Sequence, residues 1–79
     1  MKKVKVFSTK FCPHCVVLKQ FLNDNKIEFE ALDVSENEEA RKEMIEKTGQ
    51  MGVPVIEIDN EIVIGFDKVK ISELLGIKE

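Results

Sequence analysis

The sequence predicts an α/β fold, a layered domain of helices around a mixed β-sheet, and three observations carry that reading. Short stretches of alternating polar and β-branched residues are separated by stretches with helical apolar spacing, in the order βαβ–α–ββ–α. Both orders of connection occur, strand–helix–strand near the start and strand–turn–strand near the end, so the sheet is expected to be mixed. About a third of the 79 residues are Leu, Ile, Val or Phe, well above the roughly one-fifth typical of chains that stay disordered. That is enough for one thin core and too little for two, so a single domain is expected over residues 1–79.

Each element has its own signal. Lys3-Val4-Lys5-Val6-Phe7 alternates with the period of a strand. Cys12-Pro13 then opens a helix, with proline at the first helical position, where its missing N–H costs nothing. The pairs Val17 with Phe21 and Leu18 with Leu22 give that helix an apolar stripe, and Asn23-Asp24-Asn25 stops it. Glu28 to Val34 reads as a second strand. Ser35 and Glu38 have the spacing of a capping box, serine at the N-cap, before a helix carrying Ala40, Met44 and Ile45 that ends near Gly49. Val53-Pro54 introduces a third strand, Val55 to Ile58. Asp59-Asn60 suits a two-residue hairpin turn into a fourth strand, Glu61 to Ile64. Gly65 breaks that strand, Asp67 or its neighbour begins a final helix with Ile71, Leu74 and Leu75, and Gly76 ends it.

Composition excludes several functions. No apolar run exceeds four residues, against about 20 for a membrane span. The start MKKVKVF lacks the apolar region and cleavage site of a signal peptide, so a cytoplasmic protein is expected. The net charge is −3, distributed unevenly: residues 1–23 hold five lysines and no acid, whereas residues 28–46 hold eight acids against Arg41 and Lys42. The basic third has no arginine cluster, and nucleic-acid binding wants a dense basic stripe.

The two cysteines share one motif, Cys12-Pro13-His14-Cys15, after a strand and at a helix start. There a thiol meets unpaired backbone N–H groups and the positive end of the helix dipole, both of which favour the reactive thiolate. The spacing lets the second sulfur lie close beneath the first, so a disulfide forms and breaks with little backbone movement. Closing so short a loop removes little chain entropy, which makes the pair a switch rather than a staple. Structural zinc needs four ligands. The chain supplies two cysteines and one histidine, His14, placed where it does not easily join them. No metal site is expected. Redox chemistry is the reading that remains.

These residues identify a resemblance. Phe7-Ser8-Thr9-Lys10-Phe11-Cys12-Pro13-His14-Cys15 resembles the strand-to-active-site segment of glutaredoxin-like redoxins of the thioredoxin superfamily. Gly52-Val53-Pro54 resembles the family's Thr-Val-Pro loop, and Ile64-Gly65-Phe66-Asp67 its Gly-Gly turn before the last helix. The resemblance implies a thioredoxin-like fold, a four-stranded mixed sheet with three helices, and a cis peptide bond before Pro54. It implies that Val53 and Pro54 lie beside the cysteines and that the Val53 backbone pairs with an extended substrate, as in strand addition.

It also implies the activity: a thiol–disulfide oxidoreductase with no built-in cofactor, acting as a monomer on protein disulfides. Cys12 is the attacking and Cys15 the resolving cysteine. Lys10, Pro13 and His14 tune the site, and Phe11, Val53, Pro54, Gly65, Phe66 and Asp67 frame the substrate. Phe66 also suits packing under the final helix. Departures from the family pattern bear on the electron donor. Glutathione-binding members usually have lysine where Thr9 stands, tyrosine where His14 stands and glycine where Phe66 stands; the acid for the glutathione amino group is matched approximately by Asp67. Gly65-Phe66 resembles redoxins served by a flavoprotein reductase, which therefore stands ahead of glutathione as donor. A carrier of an iron–sulfur cluster bridged between two chains is the alternative of a different class. Pro13 counts against it, because members that hold a cluster usually have a small residue there.

Overall fold

In the computed structural model, which describes residues 3–77, the β-branched stretches become four strands and the apolar stripes three helices. The elements are β1 (Val4–Ser8), α1 (Pro13–Asp24), β2 (Glu30–Asp33), α2 (Glu38–Thr48), β3 (Val55–Ile58), β4 (Glu61–Ile64) and α3 (Lys68–Leu75). Lys2, part of the basic N-terminal stretch, lies outside the described residues. The strands form one sheet in the order β2-β1-β3-β4. β1 and β2 run parallel, joined by α1 as a crossover; β3 runs antiparallel to β1, and β4 to β3.

Strand alternation sends neighbouring residues to opposite faces, and each face is covered by different helices. Val4, Val6, Ile56, Ile58 and Val63 pack with Leu18 and Leu22 of α1 and Ile71 of α3. On the other face Phe7 and Val55 pack with Val34 and with Ala40 and Met44 of α2. The thioredoxin-like fold expected from the resemblance is the fold observed.

Three local expectations need correction. Ser35 does not cap α2. Asn37 does, its side chain accepting the Ala40 N–H at 3.0 Å, while the Ser35 amide and hydroxyl bond Asp33 Oδ1. A side-chain turn on Asp33 took the serine first, and the helix starts two residues later than the capping box implies. β2 is shorter than Glu28–Val34, because only its middle pairs with β1. Val17 is half exposed, while Leu18 and Leu22 are fully buried: the core-facing stripe of α1 is narrower than its apolar content. The hairpin turn forms as expected, with Asp59 in the left-handed region at φ 55°, which aspartate tolerates. Gly49 ends α2 at φ 71°, in the left-handed conformation favoured by glycine.

Candidate active site

Topology gathers the chemistry-bearing residues at one end of the sheet. β1 ends at Ser8, and the chain continues through Thr9, Lys10 and Phe11 into Cys12. β3 is antiparallel to β1, and the pairing of Phe7 with Val55 brings the start of β3, hence Val53-Pro54, to the same end. The pairing of Val55 with Ile64 brings the end of β4 there too. Gly65 closes the arrangement, its N–H donating to the Pro54 carbonyl at 2.7 Å, with the glycine at φ 81°. The Val53–Pro54 peptide bond is cis. β2, parallel to β1, delivers the turn after Asp33 beside the same loop, with the Val34 N–H donating to the Ser8 carbonyl at 2.9 Å.

Cys12 is the N-cap of α1, in extended backbone at φ −120°, with Pro13 starting the helix. Its Sγ accepts the Cys15 N–H at 3.1 Å, and its carbonyl accepts from Cys15 at 3.1 Å and Val16 at 3.2 Å. The sulfur thus takes the place that a serine or aspartate oxygen holds at an ordinary helix start. Helix-start donors of this kind stabilise an anion, so the geometry favours a thiolate at Cys12 over one at Cys15. The two cysteines are disulfide-bonded, with their Cα atoms 5.2 Å apart. Cys12 keeps 8% of its surface exposed and Cys15 only 1%.

The surroundings divide into exposed and engaged side chains. Phe11 is 93% exposed, directly before Cys12, and Met51, two residues before Val53, is also exposed. Pro13 and His14 are exposed, and Pro54 is buried. Met51 was not singled out in the sequence, where a lone methionine in a loop carries no pattern; its exposure marks it. Phe66 turns inward, its ring 5.7 Å from that of Phe21 among the residues that pack α1 and α3 on the sheet. Asp67 caps α3, accepting the Lys70 N–H at 3.2 Å. Lys10 is ion-paired with Glu36 in the β2–α2 turn. Glu36 has no signal in the sequence, since only the parallel pairing of β1 and β2 brings it to Lys10. Asp33 lies in the same turn, its carboxyl held below the ordinary carboxylate range chiefly by the Ser35 hydroxyl, with Lys10 adding to the effect. One surface hollow is lined by Asn23, Lys26, Ile27, Glu28 and Phe29, at the opposite end of α1, and another runs along β2 and the β2–α2 turn and includes Asp33 and Glu36. Among the described residues no three His, Cys, Asp or Glu side chains converge to hold a metal ion, and no helix is long and apolar enough to cross a membrane.

Residues 4–63, most of the chain and all the site elements up to β4, match the glutaredoxin family. The chain belongs to the glutaredoxin family. Members of that family are thiol–disulfide oxidoreductases, and the Cys12–Cys15 pair is the family's redox pair in this chain. The chain is 39% identical over 72 residues to an uncharacterized glutaredoxin-like 8.6 kDa protein in a rubredoxin operon of Clostridium pasteurianum, covering 91% of this chain and 96% of that one. It is 33% identical over 76 residues to glutaredoxin 3 of Escherichia coli strain K12, covering 96% and 92%. Among solved structures, the crystal structure of a mutant thioredoxin-like protein superposes with a TM-score of 0.92 at 36% identity, covering 99% of this chain and 100% of that one. Glutaredoxins act on disulfide substrates, and this chain shares both the fold and the cysteine pair that do so.

Proposed function

We propose that this glutaredoxin-family chain is a dithiol electron carrier that reduces protein disulfides through Cys12-Pro13-His14-Cys15 and is recharged by a flavoprotein reductase in preference to glutathione. It works as a monomer in the cytoplasm, where a dithiol is kept reduced. The Cys12 thiolate attacks one sulfur of the substrate disulfide, and the other leaves as a thiolate and takes a proton. The Cys15 thiolate then attacks Cys12 Sγ, releases the second substrate thiol and closes the Cys12–Cys15 disulfide. The substrate gains two electrons and two protons, which the reductase later returns to the cysteine pair. The observation that carries this reading is the asymmetry of the pair: Cys12 caps the helix and reaches the surface, and Cys15 lies beneath it. Phe11, exposed beside Cys12, supplies an apolar contact for a protein partner, and Val53 and Pro54 help frame the substrate chain.

The donor preference is supported by what is engaged. Thr9 carries no charge, the Lys10 ammonium is paired, and one Asp67 carboxylate oxygen caps a helix. The test has two parts. Cys15→Ser should accumulate a mixed disulfide at Cys12 with a substrate protein, and Cys12→Ser should accumulate none. Rate constants for reduction of the Cys12–Cys15 disulfide are then compared between millimolar glutathione and a reductase with its nicotinamide donor. Trapping through Cys15 would reverse the roles of the cysteines. Fast turnover with glutathione, and none with any reductase, would make the chain an ordinary glutathione-dependent glutaredoxin.

A further inference from the structure

We propose that Glu36 is a positioning residue for donor selection: by holding the Lys10 ammonium it withholds that cation from an anionic thiol approaching Cys12, so that the β2–α2 turn selects against glutathione. The inference rests on the reading of Cys12 and Cys15 as the reacting pair.

Three features of the structure carry it. Lys10 is two residues before Cys12, so their Cα atoms are at most about 7 Å apart, and a flexible lysine stem can bring its charge over the sulfur. The stem is instead turned to Glu36, with which its ammonium is paired. The turn that presents Glu36 is fixed to the same strand as Lys10. The Val34 N–H donates to the Ser8 carbonyl at 2.9 Å, the Glu36 and Asn37 N–H groups donate to the Asp33 carbonyl at 3.2 and 2.9 Å, and Ser35 closes on the Asp33 side chain. The backbone that presents Glu36 is therefore held, while its carboxylate and the Lys10 ammonium meet on the exposed surface. Asp33 adds a second carboxylate near Lys10. One lysine against two carboxyl side chains gives the group of Lys10, Glu36 and Asp33 a negative formal charge. Glutathione carries two carboxylates against one ammonium, and it meets no net cation here. A protein donor does not depend on that cation, because it can dock on Phe11.

The reaction read out is two-step reduction of the oxidised protein by a small thiol. One thiolate attacks Cys12 Sγ, and Cys15 leaves as a thiolate and is protonated. A second thiolate then attacks the mixed disulfide, giving the dithiol protein and one small-molecule disulfide. The rate constant is measured for the parent chain, Glu36→Gln, Lys10→Gln and the double variant, with glutathione and with uncharged 2-mercaptoethanol, at low and high salt. Glu36→Gln should speed the glutathione reaction about threefold at low salt, the factor expected for one charge ~7 Å away in a medium close to water. The gain should vanish near 0.5 M salt, where the Debye length is only about 4 Å. It should be clearly smaller in the Lys10→Gln background, and smaller with 2-mercaptoethanol than with glutathione, since the attacking 2-mercaptoethanol thiolate lacks the additional net negative charge of glutathione's two carboxylates and one ammonium. Equal gains with and without Lys10 would overturn the inference, because Glu36 would then act by charge alone and not through the lysine. An equal gain with 2-mercaptoethanol would overturn it too. If no thiol reduces the parent disulfide, the reading of the cysteine pair falls first and takes this inference with it.

Discussion

Cys12 and Cys15 share a motif and differ in environment, and the difference is made by single hydrogen bonds. The Cys15 N–H points at Cys12 Sγ, while Cys15 is closed off beneath the first turn of α1. His14 sits between them on the exposed side of that turn. An imidazolium beside a thiolate stabilises the anion, and stabilising the thiolate stabilises the reduced protein. Replacing His14 by Ala should therefore raise the Cys12 pKa and make the chain more reducing, by ~10 mV for an exposed charge of about 0.5 kcal/mol. Equilibration of the variant against a thiol–disulfide buffer of known potential measures the shift. An unchanged potential would show that His14 has no part in tuning the pair.

At the scale of elements, α2 is held by its cap and by a chain of ion pairs to the sheet. Asn37, not Ser35, satisfies the first-turn amide of Ala40. Asn37→Ala should cost about 1 kcal/mol in urea unfolding, and Ser35→Ala clearly less, because its hydroxyl serves the preceding turn. A larger loss from Ser35→Ala would restore the capping box.

The ion pairs run from Lys5 of β1 to Glu43 at 3.3 Å, from Glu43 to Lys47 at 3.1 Å, and from Lys47 to Glu57 of β3 at 2.7 Å. Glu57 is the buried member, and Lys47 is what pairs it. Lys47→Met leaves that carboxylate buried without its partner and should cost about 1–2 kcal/mol at neutral pH. The pH dependence follows from two opposite shifts. Glu43 is held below the ordinary carboxylate range, chiefly by the Lys47 ammonium, so its contribution is present above that range and lost as pH falls through the lowered value. Lys47 is held above the ordinary lysine value of 10.5, chiefly by Glu57, so its contribution is full below 10.5 and lost as pH rises through the raised value. The gap in urea midpoint between parent and Lys47→Met should thus be widest between the two ranges and shrink at either extreme. A gap independent of pH would mean that the methionine fails on packing alone.

At the scale of the whole molecule, two apolar faces on a short sheet are all that opposes chain entropy. A domain of this size has only about 5 kcal/mol to lose. Leu18 is fully buried between α1 and the sheet, whereas Val17, its neighbour, is 49% exposed. Leu18→Ala should cost about 2–5 kcal/mol and leave the chain partly unfolded at 37 °C, while Val17→Ala should cost less than about 0.5 kcal/mol. Circular dichroism melting of the two variants checks this. Similar losses would mean that the apolar stripe on α1 works as a whole.

Periodicity and punctuation are local, and they were enough to determine the element order, the Cys12-Pro13 helix start, the Asp59-Asn60 turn and the Gly49 and Gly76 stops. The redox pair was equally legible, because its two sulfurs sit on one helical turn and need no distant partner. The cap of α2 was misread because Ser35 and Asn37 both suit the role, and a competing turn on Asp33 decided between them. Which side chains meet at the site was decided only by the sheet. Parallel pairing of β1 with β2 brings Glu36 to Lys10, and antiparallel pairing of β1 with β3 and of β3 with β4 brings Val53-Pro54 and Gly65 to the end of the sheet where β1 leads into Cys12. Residues this far apart in sequence leave no trace of one another in local spacing. Their meeting depends on strand register, which is fixed when Val6, Phe7, Val55 and Ile56 are buried on their respective faces.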